Sequence, residues 1–223
     1  IKIGTKIIVN NVFKNVPARL KFLKSNQVEN KYSLQIIKKI ALGHPGIKFS
    51  YKFEENLRHV YKKENLNREG FKQRILEVFQ DDFFSNSLLV ENKIKSDLGV
   101  INLRGFISIP SYNKVNQSYQ FLFVNGRPIQ DRGLSTIIRL AYRDTLPRGR
   151  HPLYCLMLDV SNEQVDVNVH PTKLEVKFQN YEFLKSFVIT SITKALQIKN
   201  NNKISKTLNI SKINNNILLN KTE

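Results

Sequence analysis

A chain of 223 residues with 41% hydrophobic and 24% charged side chains can bury one large core or two small ones, and is neither fibrous nor wholly disordered. Its 36 Lys and Arg against 18 Asp and Glu give a formal charge of +18, which argues against a basic partner and for a polyanion, nucleic acid first. A coding bias toward Lys, Asn and Ile would produce the same excess, so charge alone carries modest weight.

In chain order, residues 3–12 alternate as a strand would, with Asn10-Asn11 near the end. Residues 17–23 read as a short helix with proline in its first turn. Ser25 or Asn26 caps a second helix, in which Val28, Tyr32, Ile36 and Ile40 recur near helical period and which stops at Leu42-Gly43-His44-Pro45-Gly46. Strands at 47–53 and 57–61 follow, and the polar, turn-rich stretch 65–70 is the expected domain boundary. Beyond it the pattern predicts a helix at 71–79, strands at 88–94 and 98–109, an apolar strand at 119–124, a helix at 132–145 and an apolar strand at 153–160. The alternating segments VDVNV (165–169) and LEVKF (174–178) flank His170-Pro171, and an amphipathic helix at 181–198 closes the series. From Lys199 the polar, low-complexity sequence cannot build a core and is expected to be a disordered tail.

The single cysteine, Cys155, lies in the apolar run LYCLMLDV and reads as a core residue in a reducing compartment. No apolar run reaches the length of a membrane span and no signal peptide opens the sequence, so a cytoplasmic protein without a membrane partner is expected. The chain opens at Ile1 and not at methionine, as a fragment would.

The segment VDVNVHPTKLEVKF (165–178) places Lys173 on a short turn between two strands. A rigidly held ammonium there suits a phosphoryl oxygen, although a lysine on a turn is ordinarily just solvated. FLFVNGRPIQDRGL (121–134) runs an apolar strand into the turn Asn125-Gly126, then Arg127-Pro128 and a helix. Together with Gly4-Thr5 and NVPARLKFL (15–23), these segments closely resemble the MutL family of DNA mismatch repair ATPases, in that family's order and near its spacing, over residues 1–197.

The resemblance implies an α+β fold. Residues 1–65 would be the C-terminal part of a GHKL-type ATPase domain, and 199–223 a linker. Residues 70–198 would be a transducer domain with a left-handed βαβ crossover, a fold shared with gyrase B. It implies that Lys173 reaches from the transducer into the ATP pocket as a catalytic cation on the γ-phosphate, by electrostatic stabilisation. Gly4 and Thr5 match the family's GT motif at the edge of the nucleotide site, where glycine permits close approach and threonine supplies a hydroxyl. Val16 stands where the family usually has threonine, which loses a hydroxyl while Pro17 and Arg19 remain.

The family's catalytic glutamate, magnesium-holding asparagine and glycine-rich phosphate loops lie N-terminal to the GT motif and are not in this sequence; its C-terminal dimerisation domain is not either. ATP and Mg²⁺ are therefore expected as cofactors of the intact protein and none for this chain alone, which should not hydrolyse ATP. No Cys/His cluster has metal spacing. His44, His151 and His170 each precede proline, which argues for turn chemistry.

On the helix predicted after VNGRP, Leu134, Ile137, Ile138 and Ala141 share one face. Arg132, Arg139 and Arg143 fall within about 40° of one another on the opposite face. Guanidinium forks match phosphate oxygens, so this stripe beside Arg127 suits a DNA backbone read without sequence preference, and Arg132 corresponds to a family arginine implicated in DNA binding. A solvated helix face is the plainer alternative. Gly133 departs from the family's usual large apolar residue and weakens the first turn by roughly 1 kcal/mol.

The expected function is that of an ATP-dependent mismatch repair matchmaker. Its partners would be DNA, a mismatch-recognition protein and a downstream nuclease or helicase, with a homodimer in the intact protein. A nucleic-acid-binding module acting without nucleotide, or a non-functional gene fragment, are the alternatives. A type II topoisomerase subunit would share the transducer fold but has no reason to carry VNGR with VDVNVHPTK.

Overall fold

The computed structural model describes residues 4–54, 57–79, 82–96, 99–166 and 175–197. Its centre is a five-stranded sheet in which residues 87–96, 99–108, 154–160, 120–124 and 127–129 lie side by side in that order. β3 (Ser87–Ser96) and β4 (Gly99–Ser108) form a long antiparallel hairpin, and β9 (Tyr154–Val160) pairs antiparallel with β4. β6 (Gln120–Val124) runs parallel to β9, and β7 (Arg127–Ile129) folds back on β6.

β6 and β9 are buried on both faces, which is why their sequences read as unbroken apolar runs. Their side chains divide with period two. Leu122, Val124, Leu156, Leu158 and Val160 enter one core; Phe121, Phe123, Cys155 and Met157 enter the other. Cys155 is thus the core residue the sequence implied, and burial pushes its thiol pKa up.

The first core is closed by α5 (Arg132–Ala141) and by α6, residues 181–197. The second is closed by α3 (Arg68–Phe79), Phe83 of the short α4 (Asp82–Ser85), Ala41 and Leu42 of α2 (Asn26–Gly43), and Tyr61. Tyr61 ends the β1–β2 hairpin (Phe49–Phe53, Leu57–Tyr61). α2 stops at Gly43 with His44 as its C-cap, as the Gly-His-Pro-Gly run dictates.

Arg74 of α3 is fully buried behind this second core. Its guanidinium donates to the carbonyls of Ala41, His44, Pro45, Ile47 and Lys62, and its Nε meets Glu77 Oε2 at 3.2 Å. Glu77 in turn accepts from the Lys62 amide at 3.1 Å. One side chain therefore ties the end of α2, the following loop and the exit of β2 to α3.

The β6–β7 turn shows why Asn-Gly was a strong signal. Asn125 and Gly126 have φ of 49° and 76°, the left-handed pair that a two-residue hairpin turn needs. The Asn125 side chain also accepts from the Val160 amide at 2.8 Å and donates to the Val160 carbonyl at 2.9 Å, pinning the turn to the end of β9.

Several sequence expectations are revised. Residues 4–10 form no strand: Ile7, Ile8 and Val9 are 82%, 65% and 73% exposed, and no strand among the described residues offers them a ladder. The short helix after it, α1, spans only Pro17–Leu20. Arg127-Pro128 is strand β7 and not a direct entry to the helix. His151-Pro152 is strand β8, paired with β5 (Asn113–Lys114), because a residue before proline is pushed toward the extended region. Of VDVNV and LEVKF, β10 (Val165–Asp166) and β11 (Lys177–Phe178) pair antiparallel. His170 and Lys173, between them, lie outside the described residues.

Candidate nucleic-acid interface

α5 is positioned by its cap and its apolar face. Asp131 sits at the N-cap with extended backbone, and its Oδ1 accepts from the Leu134 amide at 2.8 Å. Leu134, Ile137 and Ile138 are buried against the sheet, which turns Arg132 and Arg139, two helical turns apart, to solvent. Among the described residues neither arginine has an ion-pair partner.

Arg143 does not lie on the helix. α5 ends at Ala141, four residues short of the sequence expectation. Tyr142 takes the C-cap position with its side chain fully buried and its hydroxyl donating to the Ser108 carbonyl at 2.6 Å. Ser108 Oγ accepts from the Leu153 amide at 3.0 Å, so the anchor reaches the start of β9. The helical-wheel arithmetic therefore holds for Arg132 and Arg139 only. Arg143 follows in the turn and meets Asp144 at 3.4 Å, both highly exposed, a pair that adds little.

Two clefts flank the exposed side of α5. One, of about 540 Å³, is lined by Arg132 and Arg139, by Gln117 and Gln120, and by His151 and Tyr154. The other, of about 230 Å³, lies between Arg139 and the loop carrying Arg143, Leu146, Pro147 and Arg148. Arg139 lines both. Arg127, exposed on β7, lines neither.

Sequence reasoning missed His151, Gln117 and Arg148. The signals were present: LPRGRHP is a basic loop running into a pre-proline residue, which favours a strand entry as well as a turn. Burial and the Arg139 guanidinium hold the His151 pKa below its ordinary value. Burial pushes that of Tyr154 up to about 12, partly countered by a hydrogen bond to Ser135, which keeps it a neutral wall.

Gly133 has a local reason. A Cβ there would meet the Tyr181 hydroxyl at 2.5 Å and Asp131 Oδ1 at 3.1 Å, so the missing side chain lets the start of α6 pack on the start of α5.

The residues expected at a nucleotide site are only partly described. Gly4 and Thr5 are exposed, a Cβ on Gly4 would meet nothing within 4 Å, and Lys173 lies outside the described residues. Among the described residues no group of three His, Cys, Asp or Glu could hold a metal ion. None of the described helices is long and apolar enough to cross a membrane.

Residues 75–197 match the family model described as DNA mismatch repair protein, C-terminal domain. The DNA mismatch repair protein MutL of Rickettsia felis is 39% identical over 197 residues, covering 88% of this chain and 32% of that protein. MutL of Rickettsia prowazekii is 41% identical with the same coverage. The chain thus spans about a third of the length of these relatives. A crystal structure of the N-terminal domain of a DNA repair protein superposes with a TM-score of 0.68 at 21% identity, covering 84% of this chain and 59% of that one, a likeness of fold. With β6–α5–β9 and its flanking hairpins matched over more than half the sequence, this chain belongs to the MutL family of DNA mismatch repair proteins.

Proposed function

We propose that the chain is the DNA-contacting part of a mismatch repair matchmaker, and that α5 lays Arg132 and Arg139 against phosphates of the duplex. The observation that carries this reading is the exposure of both arginines, without an ion-pair partner among the described residues, on a helix whose other face is fixed in the core. Arg143 and Arg148 extend the basic surface along the second cleft, and Arg127 extends it on β7. Nothing in the site resembles a base-reading helix, so binding is to backbone and without sequence preference.

In the intact protein, on this reading, residues 1–65 complete an ATPase domain, 70–198 form the transducer and 199–223 begin a linker. The β6–α5–β9 crossover takes the left hand that the family resemblance implies. ATP and Mg²⁺ would be held by that intact domain, with Gly4 and Thr5 at its edge and Lys173 supplying positive charge. Homodimerisation, recruitment of a mismatch-recognition protein and handover to a nuclease or helicase, in the cytoplasm, belong to the whole protein. The exposed position of Gly4 and Thr5 favours a second reading for this chain by itself, a DNA-binding module that needs no nucleotide.

The test is fluorescence anisotropy with duplexes of unrelated sequence over a salt series. Affinity is expected to fall steeply with salt and to be indifferent to sequence and to Mg-ATP. Arg132→Glu is expected to weaken all duplexes alike and to lower the log–log salt slope by about one or somewhat more. Unchanged affinity and slope in Arg132→Glu, with binding lost when the lysines after residue 199 are neutralised, would move the DNA contact from α5 to the tail.

A further inference from the structure

The larger cleft beside α5 brings together cationic groups from separate elements. Arg132 and Arg139 come from α5, and His151 comes from β8. The strand pairing sets Lys114 of β5 directly across from His151, and Arg150 precedes it. The acidic residue lining the cleft is Asp131, whose carboxylate is engaged by the Leu134 amide at the helix cap. Gln117 Nε2 stands 3.4 Å from His151 Nδ1 and Gln120 Nε2 donates to the Pro152 carbonyl at 3.0 Å, so two amides brace the β8 side. Tyr154 and Ser135 are neutral.

We propose that this cleft is a binding site for a phosphate oxyanion, and that His151 is its proton-dependent third cation, taking up a proton as the anion binds. The proposal rests on the reading of α5 as a DNA contact and names the ligand chemistry and its regulation there. Without an anion, partial burial and the neighbouring Arg139 guanidinium both oppose a charge on the imidazole. A bound phosphate cancels much of that field and offers oxygens to the imidazolium N–H groups, which are strong charge-assisted donors. The Gln117 amide can turn its oxygen toward Nδ1–H, so the existing contact survives protonation.

His151 titrates below the ordinary histidine value when free and higher when the anion is bound. The extra affinity is therefore complete below the free-state value and is lost as pH rises through the bound-state value. Each unit between the two values is worth about tenfold in affinity at the acid end.

The chain has four histidines, His44, His59, His151 and His170, so imidazole NMR titration of the full chain resolves the question. His151→Gln, which keeps a hydrogen-bonding side chain without a titrating proton, assigns the signal. Titrations are run alone, with inorganic phosphate, and with a 20-base-pair duplex bearing hydroxyl ends, all at constant ionic strength. The expected result is an upward shift of His151 with both ligands, and wild-type duplex affinity that rises about tenfold or more from pH 8 to pH 5.5 beyond that of His151→Gln. A shift with inorganic phosphate alone would keep the oxyanion site, assign it to a free or terminal phosphate, and count against the DNA reading of α5. Duplex binding that is sensitive to Arg132→Glu while His151 does not move would overturn the cleft proposal and leave the DNA reading standing. No shift with either ligand also overturns it.

Discussion

Against one face of the central sheet, α5 and α6 pack aliphatic and aromatic side chains such as Ile137, Leu184 and Ile192. Against the other, α2 and α3 close an aromatic core behind which a buried arginine collects five backbone carbonyls. The first closure depends on area and shape, and is tolerant of changes that keep volume. The second depends on a charge that has no water to fall back on. Its loss would leave the carbonyls of Ala41, Pro45 and Ile47 and the Glu77 carboxylate short of a donor together. The sheet thus carries its basic, solvent-facing surface on the forgiving side. The N-terminal segment is fastened on the side that a single residue can undo.

The largest expected effect breaks this contrast directly. Arg74→Met is expected to cost about 3–5 kcal/mol, because it strips a part-buried carboxylate and several carbonyls of their donor at once, and to lower Tm by on the order of 10 °C. Hydrogen exchange should show α2, β1 and β2 losing protection first, while β3 and β4 keep theirs. Equal loss in all of them would mean that the two faces are one cooperative unit and that the contrast has no energetic content.

Asp131→Ala tests the other face at its polar edge. Losing the cap bond to Leu134 is expected to cost about 1 kcal/mol, measured by urea denaturation. Because the cap also fixes where α5 begins, duplex affinity should fall with it, whereas Arg74→Met should leave affinity per folded molecule unchanged. The smallest effect concerns Gly133. Gly133→Ala alone is expected to gain nothing, since its Cβ collides with the Tyr181 hydroxyl 2.5 Å away. Gly133→Ala combined with Tyr181→Phe should recover helix propensity, up to about 1 kcal/mol. A gain in the single variant would show that Tyr181 moves freely and does not define the α5–α6 packing.

Local rules recovered the elements whose causes are local. Strand patterning marked β3 and β4, unbroken apolar runs marked β6 and β9, the glycine and proline run marked the end of α2, and Asn125-Gly126 marked its turn. What escaped depends on partners far along the chain. Arg74 sits on an amphipathic helix where an arginine reads as solvated, yet its carbonyl acceptors lie 12 to 33 residues away. The end of α5 is decided by where Tyr142 finds Ser108, 34 residues earlier, and that decision moved Arg143 off the helix. Residues 3–12 carry strand-forming side chains such as Ile7, Ile8 and Val9, but a strand also needs an edge to pair with. At the candidate site the arginines were legible because the apolar face of α5 fixes the opposite side. His151 was not, because a residue before proline fits a turn and an extended strand equally well.

The parallel pairing of β6 with β9 also bears on how the molecule assembles. β3 and β4 are neighbours in sequence and can close quickly. β9, which sits between β4 and β6, must wait for the roughly 30 residues after β6 that hold β7, α5 and β8. Until then β4 and β6 each present an open edge, and the run YCLMLDV, with one charge in seven residues, is the segment most prone to find another chain. The kinetic hazard of this fold is therefore concentrated in one strand. A slowed α5, as in Asp131→Ala, should appear first as aggregation during refolding and only second as lost stability.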